Sequence, residues 1–229
     1  MAARAKNGAR LGLKVSGCIL AAHPAIPENL PNPVGLTMVQ PNFFIEYSHR
    51  LGRILTDFDW VPVERLAGEL ESCWRDGRQL FLCGNGGSAG NAMHLANDFL
   101  YGIGRPQGLG MRATALSANP AVTTCLSNDL GYGHVYSAQL KVLARRGDLL
   151  IVLSGSGNSP NLVDALKVAQ TLGLRTAAIL GYDGGLCKGL ADIPIHSAID
   201  DMQVSEDLQL IVGHMLMQWL QAHPPTLKS

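Results

Sequence analysis

Two short loops rich in glycine and serine are the segments of this sequence best suited to hold a phosphate group. The first, at 84–88, reads Gly-Asn-Gly-Gly-Ser, and the second, at 154–160, reads Ser-Gly-Ser-Gly-Asn-Ser-Pro. Small residues let a backbone approach a ligand closely, and the free amides at the start of a following helix attract a dianion. Pro160 suits the first turn of such a helix, because the amide hydrogen that proline lacks is not needed there. The two loops therefore predict a site for a phosphorylated ligand.

Neither loop matches a nucleotide-binding motif. The G-x-G-x-x-G spacing does not occur together with an acid about 20 residues further on, and neither loop ends in the Gly-Lys-Ser/Thr of a Walker A motif. One such loop could equally be an ordinary tight turn. Two of them, each following an apolar run, favour a ligand site over two unrelated turns.

Two helical segments each offer a histidine and a carboxylate. His94 and Asp98 are four residues apart, so they share a helix face and could bind one cation or one substrate. Glu206 and His214 lie about two turns apart on a later segment. Taken singly, the first pair also fits a surface ion pair, and His214 also fits a core histidine with satisfied hydrogen bonds. The presence of both pairs shifts the balance modestly toward a functional site.

The hydrophobic pattern predicts strands that alternate with helices. The strands are short continuous apolar runs, as expected where both faces of a sheet are buried, and they are predicted at 79–83, 112–116, 149–153, 176–180 and 193–198. Helices are predicted at 43–58, 63–74, 89–100, 120–126, 135–144, 160–172 and 204–220. This alternation predicts one α/β domain with a parallel five-stranded, flavodoxin-like sheet flanked by helices. Ligands of such sheets bind beyond the carboxyl ends of the strands, where both loops fall.

Composition excludes several classes of protein. The formal net charge is zero, without the basic excess that neutralises phosphates, so we expect no direct binding of nucleic acid. No apolar run approaches the roughly 20 residues that a membrane span needs. Charged residues make up 16% and hydrophobic residues 47% of the chain, which indicates extensive burial. The five cysteines are scattered without a C-x-x-C pair, which is typical of a reducing compartment and predicts a cytoplasmic location.

The first 37 residues differ from the rest of the chain. Four basic residues precede Glu28, the first acid, and prolines cluster at Pro24, Pro27, Pro31 and Pro33. This pattern predicts a disordered extension or an assigned start that is too early, with Met38 as the true one; a transit peptide is the alternative. We expect the folded domain to span 38–229.

The chain from about 42 to 220 resembles the sugar isomerase (SIS) domain family and, within it, the phosphoheptose isomerases. The stretches that carry this resemblance are Cys83-Gly84-Asn85-Gly86-Gly87-Ser88, Ala92-Met93-His94, Ser127-Asn128-Asp129, Gly147-Asp148, Ser154-Gly155-Ser156-Gly157-Asn158-Ser159 and the closing helix with His214. The resemblance implies a homotetrameric isomerase that interconverts sedoheptulose 7-phosphate and D-glycero-D-manno-heptose 7-phosphate.

The resemblance also assigns roles to residues. It implies substrate contacts from both loops, from one further pair and from the closing helix, namely Asn85, Gly86, Gly87, Ser88, Asn128, Asp129, Ser154, Gly155, Ser156, Ser159 and Glu206. Among these, Ser154, Ser156 and Ser159 correspond to the phosphate cradle. It implies one zinc ion per subunit, held by His94, Asp98, Glu206 and His214, with Asp98 and His214 as the acid/base pair.

Three positions depart from the family pattern. Asp98 is one methylene shorter than the family's glutamate, Glu206 replaces a glutamine, and Gln209 stands where another histidine is frequent. A set of two histidines and two carboxylates remains, which fits variation within a subgroup. The departures leave open whether the substrate is the heptulose phosphate or another phosphorylated ketose.

A non-catalytic binding module is the main alternative. Some SIS proteins close to phosphoheptose isomerase act by contacting other proteins, including a replication initiator. A relative that had lost catalysis would be expected to lose its histidines and carboxylates first. This chain keeps both histidines and both carboxylates, which favours the enzyme.

Overall fold

A computed structural model describes residues 42–104 and 110–226. Two helices come first, α1 (Asn42–Thr56) and α2 (Val61–Arg75). The remaining elements, in chain order, are β1 (Gln79–Gly84), α3 (Gly87–Leu100), a 3-10 turn (Gly102–Gly104), β2 (Arg112–Ala115), α4 (Pro120–Leu130), a second 3-10 turn (Tyr132–His134), α5 (Ser137–Leu143), β3 (Leu149–Ser154), α6 (Pro160–Leu172), β4 (Arg175–Leu180), α7 (Gly185–Leu190), β5 (Ile193–His196) and α8 (Met202–Ala222). The extension predicted at 1–37 and the expected domain start at Met38 lie outside the described residues.

The strands form one parallel five-stranded sheet in the order β2-β1-β3-β4-β5, which confirms the predicted fold class. The chain leaves β1 toward one edge of the sheet and leaves β3 toward the other. Gly84 at the end of β1 pairs with Leu153 near the end of β3, so both glycine-rich loops start at the same level. A reversal of strand order of this kind opens a crevice where ligands bind.

Helices cover both faces of the sheet. Leu80 and Leu82 of β1 pack with α2, α3 and α8 in one apolar cluster. Phe81 and Cys83 of the same strand pack with α5 and α6 in the other, because alternate residues of a strand point to opposite faces. The helices α3 and α8 therefore lie side by side on one face, where they bring the predicted histidines together.

The predicted elements agree with the structure to within two residues at each end, except that α4 extends to Leu130 rather than to 126. Strand β5 ends at His196 rather than at 198, and α7 was not predicted. Helix α7 has six residues, two of which are glycine, so it is too short to show a helical hydrophobic period. None of the helices in the described part of the chain combines the length and the hydropathy needed to cross a membrane.

Helix α1 buries none of its residues. Phe43, Phe44 and Ile45 are 62%, 65% and 52% exposed. Three adjacent apolar side chains open to solvent form a surface of the kind that subunits cover on assembly.

Asp201 fixes the start of α8. Its Oδ1 accepts a hydrogen bond from the backbone N–H of Val204 at 3.1 Å, which caps the helix. Its Oδ2 lies 2.7 Å from the guanidinium of Arg50. The cap satisfies a helix N–H that has no partner within the helix. It thereby stabilises the first turn of α8, the helix that carries Glu206 and His214.

Asp201→Ala is expected to lower the free energy of unfolding by about 1 kcal/mol, because the cap of α8 is lost. Urea denaturation measures the change. Asp201→Asn is the control: it keeps an oxygen that can cap the helix and loses only the ion pair to Arg50, whose side chain is 45% exposed, so it should cost less. Equal losses in both variants would assign the stability to the ion pair instead.

Candidate active site

The two glycine-rich loops form opposite walls of one cavity of about 320 Å³. Its lining contains every predicted substrate residue of the two loops, together with Glu206 from α8; these are Asn85, Gly86, Gly87, Ser88, Ser154, Gly155, Ser156, Ser159 and Glu206, joined by Leu153 and Met202. The cavity lies beyond the carboxyl ends of β1 and β3, as the fold requires. The sequence prediction that both loops serve one site agrees with this geometry.

Glu206 packs directly on the first loop. A methyl group at Gly87 would lie 2.3 Å from Glu206 Oε2, which is far inside contact distance. A side chain at position 87 would therefore displace the Glu206 carboxylate from the loop. The Glu206 carboxylate consequently forms part of the cavity wall and stands beside the loop backbone.

The second loop is shaped by its own serines. Ser154 is 5% exposed, and its Oγ accepts a hydrogen bond from the backbone N–H of Gly157 at 3.0 Å. Ser159 occupies the N-cap of α6 without a side-chain cap hydrogen bond. The positive end of the α6 dipole thus meets the cavity at Ser159, which favours an anionic ligand.

A second group of side chains lies further along α3 and α8. His94 Nε2 is 2.8 Å from His214 Nε2. Asp98 Oδ2 is 3.4 Å from His94 Nε2 and 3.5 Å from His214 Nε2. Within the described ranges, these three residues are the group of histidine, cysteine and carboxylate side chains whose ligand atoms lie close enough to hold a metal ion. Three of the four residues predicted as metal ligands therefore converge.

Glu206 is not part of this group in the described structure. It precedes His214 by eight residues on the same helix, which corresponds to roughly 12 Å along the helix axis. Its carboxylate lies at Gly87 instead. The geometry thus supports Glu206 as a substrate contact, and its role as a fourth metal ligand has no support from these distances.

Gln209 links α8 to the first loop, a role that the sequence did not reveal. It is 1% exposed, donates to Ser88 Oγ at 3.0 Å and accepts from Asn91 Nδ2 at 3.0 Å. Asn91 also donates to the backbone carbonyl of Glu206 at 3.0 Å. At a position where the family often has a histidine, this chain uses a neutral amide that can donate and accept at once. The only signal in the sequence was that departure from the family pattern.

Close helix packing sets the spacing of the two histidines. A methyl group on Gly213 would lie 2.3 Å from Leu95 Cδ2 and 2.6 Å from Leu95 Cδ1. Gly213 and Leu95 directly adjoin His214 and His94 in the chain. The absence of a side chain at Gly213 thus allows α8 to approach α3 until the imidazole nitrogens meet.

Asn128 and Asp129 do not line the cavity. They lie exposed at the end of α4, where Asn128 Nδ2 donates to Asp129 Oδ1 at 2.8 Å. Their assignment as substrate contacts remains a prediction from the resemblance.

Tyr136 binds the backbone at the start of the first loop. Its hydroxyl donates to the backbone carbonyl of Gly84. Burial, with a smaller contribution from the neighbouring Cys83, raises the pKa of Tyr136 well above its usual value. The phenol therefore stays protonated and keeps donating at any pH near neutrality.

Comparison with known proteins agrees with the fold. Residues 43–181 match the SIS domain family. The chain is 36% identical over 183 residues to phosphoheptose isomerase of Chlorobaculum parvum, covering 77% of this chain and 85% of that protein. It is 38% identical over 163 residues to phosphoheptose isomerase of Trichlorobacter lovleyi, covering 70% and 82%.

The solved structure of a phosphoheptose isomerase has the same fold. Phosphoheptose isomerase of Neisseria gonorrhoeae superposes with a TM-score of 0.71 at 27% identity, covering 78% of this chain and 95% of that one. The resemblance expected from the motifs is thereby confirmed, and the chain belongs to the phosphoheptose isomerase family of SIS-domain proteins.

Proposed function

We propose that this protein interconverts sedoheptulose 7-phosphate and D-glycero-D-manno-heptose 7-phosphate. The observation that carries the proposal is the convergence of His94, Asp98 and His214 at 2.8–3.5 Å in a member of this family. An aldose–ketose isomerisation needs an acid and a base that face one substrate, and this group offers both.

The length of the site supports a long sugar phosphate. Gly87 in the cavity and His94 in the second group are seven residues apart on α3, roughly 10 Å along the helix axis. An extended seven-carbon sugar phosphate has a comparable length. In our proposal Ser154, Ser156 and Ser159 hold the phosphate, and the reacting carbons lie at the far end, near Asp98.

The reaction moves protons between two neighbouring carbons. Asp98 removes a proton from C1 of the ketose through one carboxylate oxygen, while neutral His214 donates its Nδ1 proton to the C2 oxygen, which gives an enediol. The other oxygen of Asp98 and Nε2 of His214 stay free for a metal ion. Asp98 then returns its proton to C2, and His214 takes the proton of the C1 hydroxyl, so the aldehyde forms and both groups regain their starting state. Proton transfer by positioned groups of this kind contributes a factor of about 10²–10⁴.

The ligand atoms fit a zinc ion, and we assign one ion per subunit to His94, Asp98 and His214. A tetrahedral zinc ion with bonds of 2.0–2.2 Å places its ligand atoms about 3.3 Å apart, and the three distances here are 2.8, 3.4 and 3.5 Å. Two histidines and a carboxylate with an open fourth position are typical of catalytic zinc. A bound zinc ion would polarise the substrate carbonyl as a Lewis acid.

A homotetramer in the cytoplasm completes the proposal. The exposed apolar side chains at the start of α1 support assembly, since a second subunit would remove them from water. Cys73, Cys83, Cys125 and Cys187 are all free thiols, which supports a reducing compartment.

Metal removal tests the proposal directly. The purified protein is incubated with sedoheptulose 7-phosphate, and conversion of ketose to aldose is followed by NMR. We expect conversion with added zinc, at least a tenfold lower rate after chelation, and recovery when zinc is restored. Absence of conversion by folded, zinc-loaded protein would contradict the proposal and favour another phosphorylated ketose or a binding role. A screen of sugar phosphates for a raised melting temperature would then separate these two outcomes.

A further inference from the structure

Asn85 is the cavity residue whose side chain is held most extensively by residues outside the cavity. It follows β1 directly, and its amide contacts Asn161, Tyr132 and Tyr136. None of these three belongs to the cavity lining. Their contact with Asn85 therefore calls for a role other than direct binding.

Asn85 and Asn161 form a reciprocal amide pair. Asn85 Nδ2 donates to Asn161 Oδ1 at 2.9 Å, and Asn161 Nδ2 donates to Asn85 Oδ1 at 2.8 Å. Asn161 is 1% exposed and lies in the first turn of α6, directly after the second loop. The pair thus joins the two loops that form the cavity, one after β1 and one after β3.

The described hydrogen bonds show the Asn85 amide in one orientation, with its oxygen toward the Tyr132 hydroxyl. Its Oδ1 accepts from Asn161 and also from the Tyr132 hydroxyl at 2.9 Å. A carbonyl oxygen has two lone pairs, and both are then used. Its Nδ2 carries two hydrogens, and the described contacts use one of them. The group that remains for a ligand in the cavity is therefore an N–H donor.

We propose that Asn161, assisted by Tyr132, is a positioning residue that makes Asn85 present an N–H to an oxygen of the sugar. It acts through Asn85 and does not touch the substrate itself. The inference rests on the proposed function, since it names the group that the sugar meets in that cavity. Without the pair, the Asn85 amide can rotate and present its carbonyl oxygen, which repels a sugar oxygen that lacks a hydrogen to donate.

Asn161→Asp tests this inference with almost no change in volume. A carboxylate still accepts from Asn85 Nδ2, but it donates nothing to Asn85 Oδ1 and repels that oxygen. We expect kcat/KM for sedoheptulose 7-phosphate to fall about 10-fold to 100-fold, as for other small displacements of a substrate-orienting group. The affinity for inorganic phosphate, measured by calorimetry, should fall by much less than kcat/KM. The added carboxylate lies in the first turn of α6 and weakly repels the anion, but the serine loop itself is unchanged.

Two further variants separate positioning from a merely structural role. Gln170→Glu makes the same amide-to-carboxylate change at an exposed site near the other end of α6, where Gln170 Nε2 donates to the Leu190 carbonyl, and it should keep full activity. Tyr132→Phe removes one donor to Asn85 from a half-exposed side chain. We expect it to lower kcat/KM about threefold to tenfold with an unchanged melting temperature.

The outcomes decide the inference. If Asn161→Asp lowered the affinity for inorganic phosphate by as large a factor as kcat/KM, its role would be structural and the inference would fail. If Asn161→Asp did not fold, Tyr132→Phe would decide alone, and full activity of that variant would overturn the proposal.

A wild-type protein without turnover would instead refute the proposed function. The inference would then be tested by the ratio of the affinities for sedoheptulose 7-phosphate and inorganic phosphate. If this ratio is lower in Asn161→Asp than in the wild-type protein, the inference is supported. An unchanged ratio refutes it.

Discussion

Asp98→Asn is expected to lower kcat about 10²–10⁴-fold, the range that a positioned acid or base contributes. Asparagine has nearly the same shape as aspartate, but its amide cannot take up a proton from carbon and is a poor metal ligand. Asp98 lies within 3.5 Å of both histidines, so the change acts at the centre of the group. The turnover of sedoheptulose 7-phosphate by zinc-loaded protein measures the loss, and inorganic phosphate should still bind in the cavity.

Two variants make the Asp98 experiment specific. Asp98→Glu restores the longer side chain of the family, and we expect it to retain most of the activity, since one added methylene can be accommodated where the side chain is 15% exposed. Glu69→Gln removes a carboxylate on α2 that pairs with Arg175, away from the site, and should leave kcat unchanged. Turnover by Asp98→Asn at the wild-type rate would remove Asp98 from the role of base.

Gly213→Ala is expected to lower kcat/KM about 100-fold, because it separates α3 from α8. The added methyl group would lie 2.3 Å from Leu95 Cδ2, and Leu95 is 1% exposed, so its side chain cannot turn out into solvent. We expect the helices to move apart, and His94 and His214 to move with them. A displacement of about 1 Å at reacting groups can cost a factor of 10². We also expect Gly213→Ala to bind zinc more weakly, which a titration against a chelator measures.

The stability of Gly213→Ala should change much less than its activity. Overpacking a core costs about 1–3 kcal/mol, while replacing glycine by alanine within a helix gains about 1 kcal/mol. The two effects largely offset each other, so we expect a net loss of about 0–2 kcal/mol. A large loss of activity in a folded protein would thus report on geometry and not on unfolding.

A matched control and a rescue accompany Gly213→Ala. Gly68→Ala makes the same change on α2 at a position with nothing within 4 Å of the new methyl group, and should keep full activity. Adding Leu95→Ala to Gly213→Ala removes the atoms that clash, so we expect partial recovery of zinc affinity, although Leu95→Ala itself lowers stability by about 2–5 kcal/mol. Wild-type activity of Gly213→Ala alone would show that the spacing of the histidines tolerates helix separation.

The sheet and both loops could be predicted because their signals are local. Buried parallel strands appear as short apolar runs, and the loops follow them directly in the sequence. His94 and Asp98 share a helix face by their spacing alone. The joint assignment of Glu206 and His214 to one ion followed from the family resemblance, while their separation of eight residues already implied two helical turns.

The remaining parts of the site depend on contacts between distant segments. Asn161 bonds to Asn85, which is 76 positions away, and Gln209 bonds to Ser88, which is 121 positions away. Asparagine and glutamine are also common on protein surfaces, so neither residue type nor spacing marked Asn161 and Gln209 as part of the site. Their partners become visible only when the sheet order and the packing of α8 on α3 are known.

The assembly of the histidine pair has a consequence for the dynamics of the protein. His94 and His214 are 120 positions apart, and the second belongs to the last helix of the described chain. A transient local opening of α8 would take His214, Glu206 and Gln209 away together while the sheet stays intact, since cooperative units of a protein can open separately. The time for which the complete site persists then depends on how often α8 opens. Amide hydrogen exchange along α8 would measure the fraction of molecules in which the site is complete.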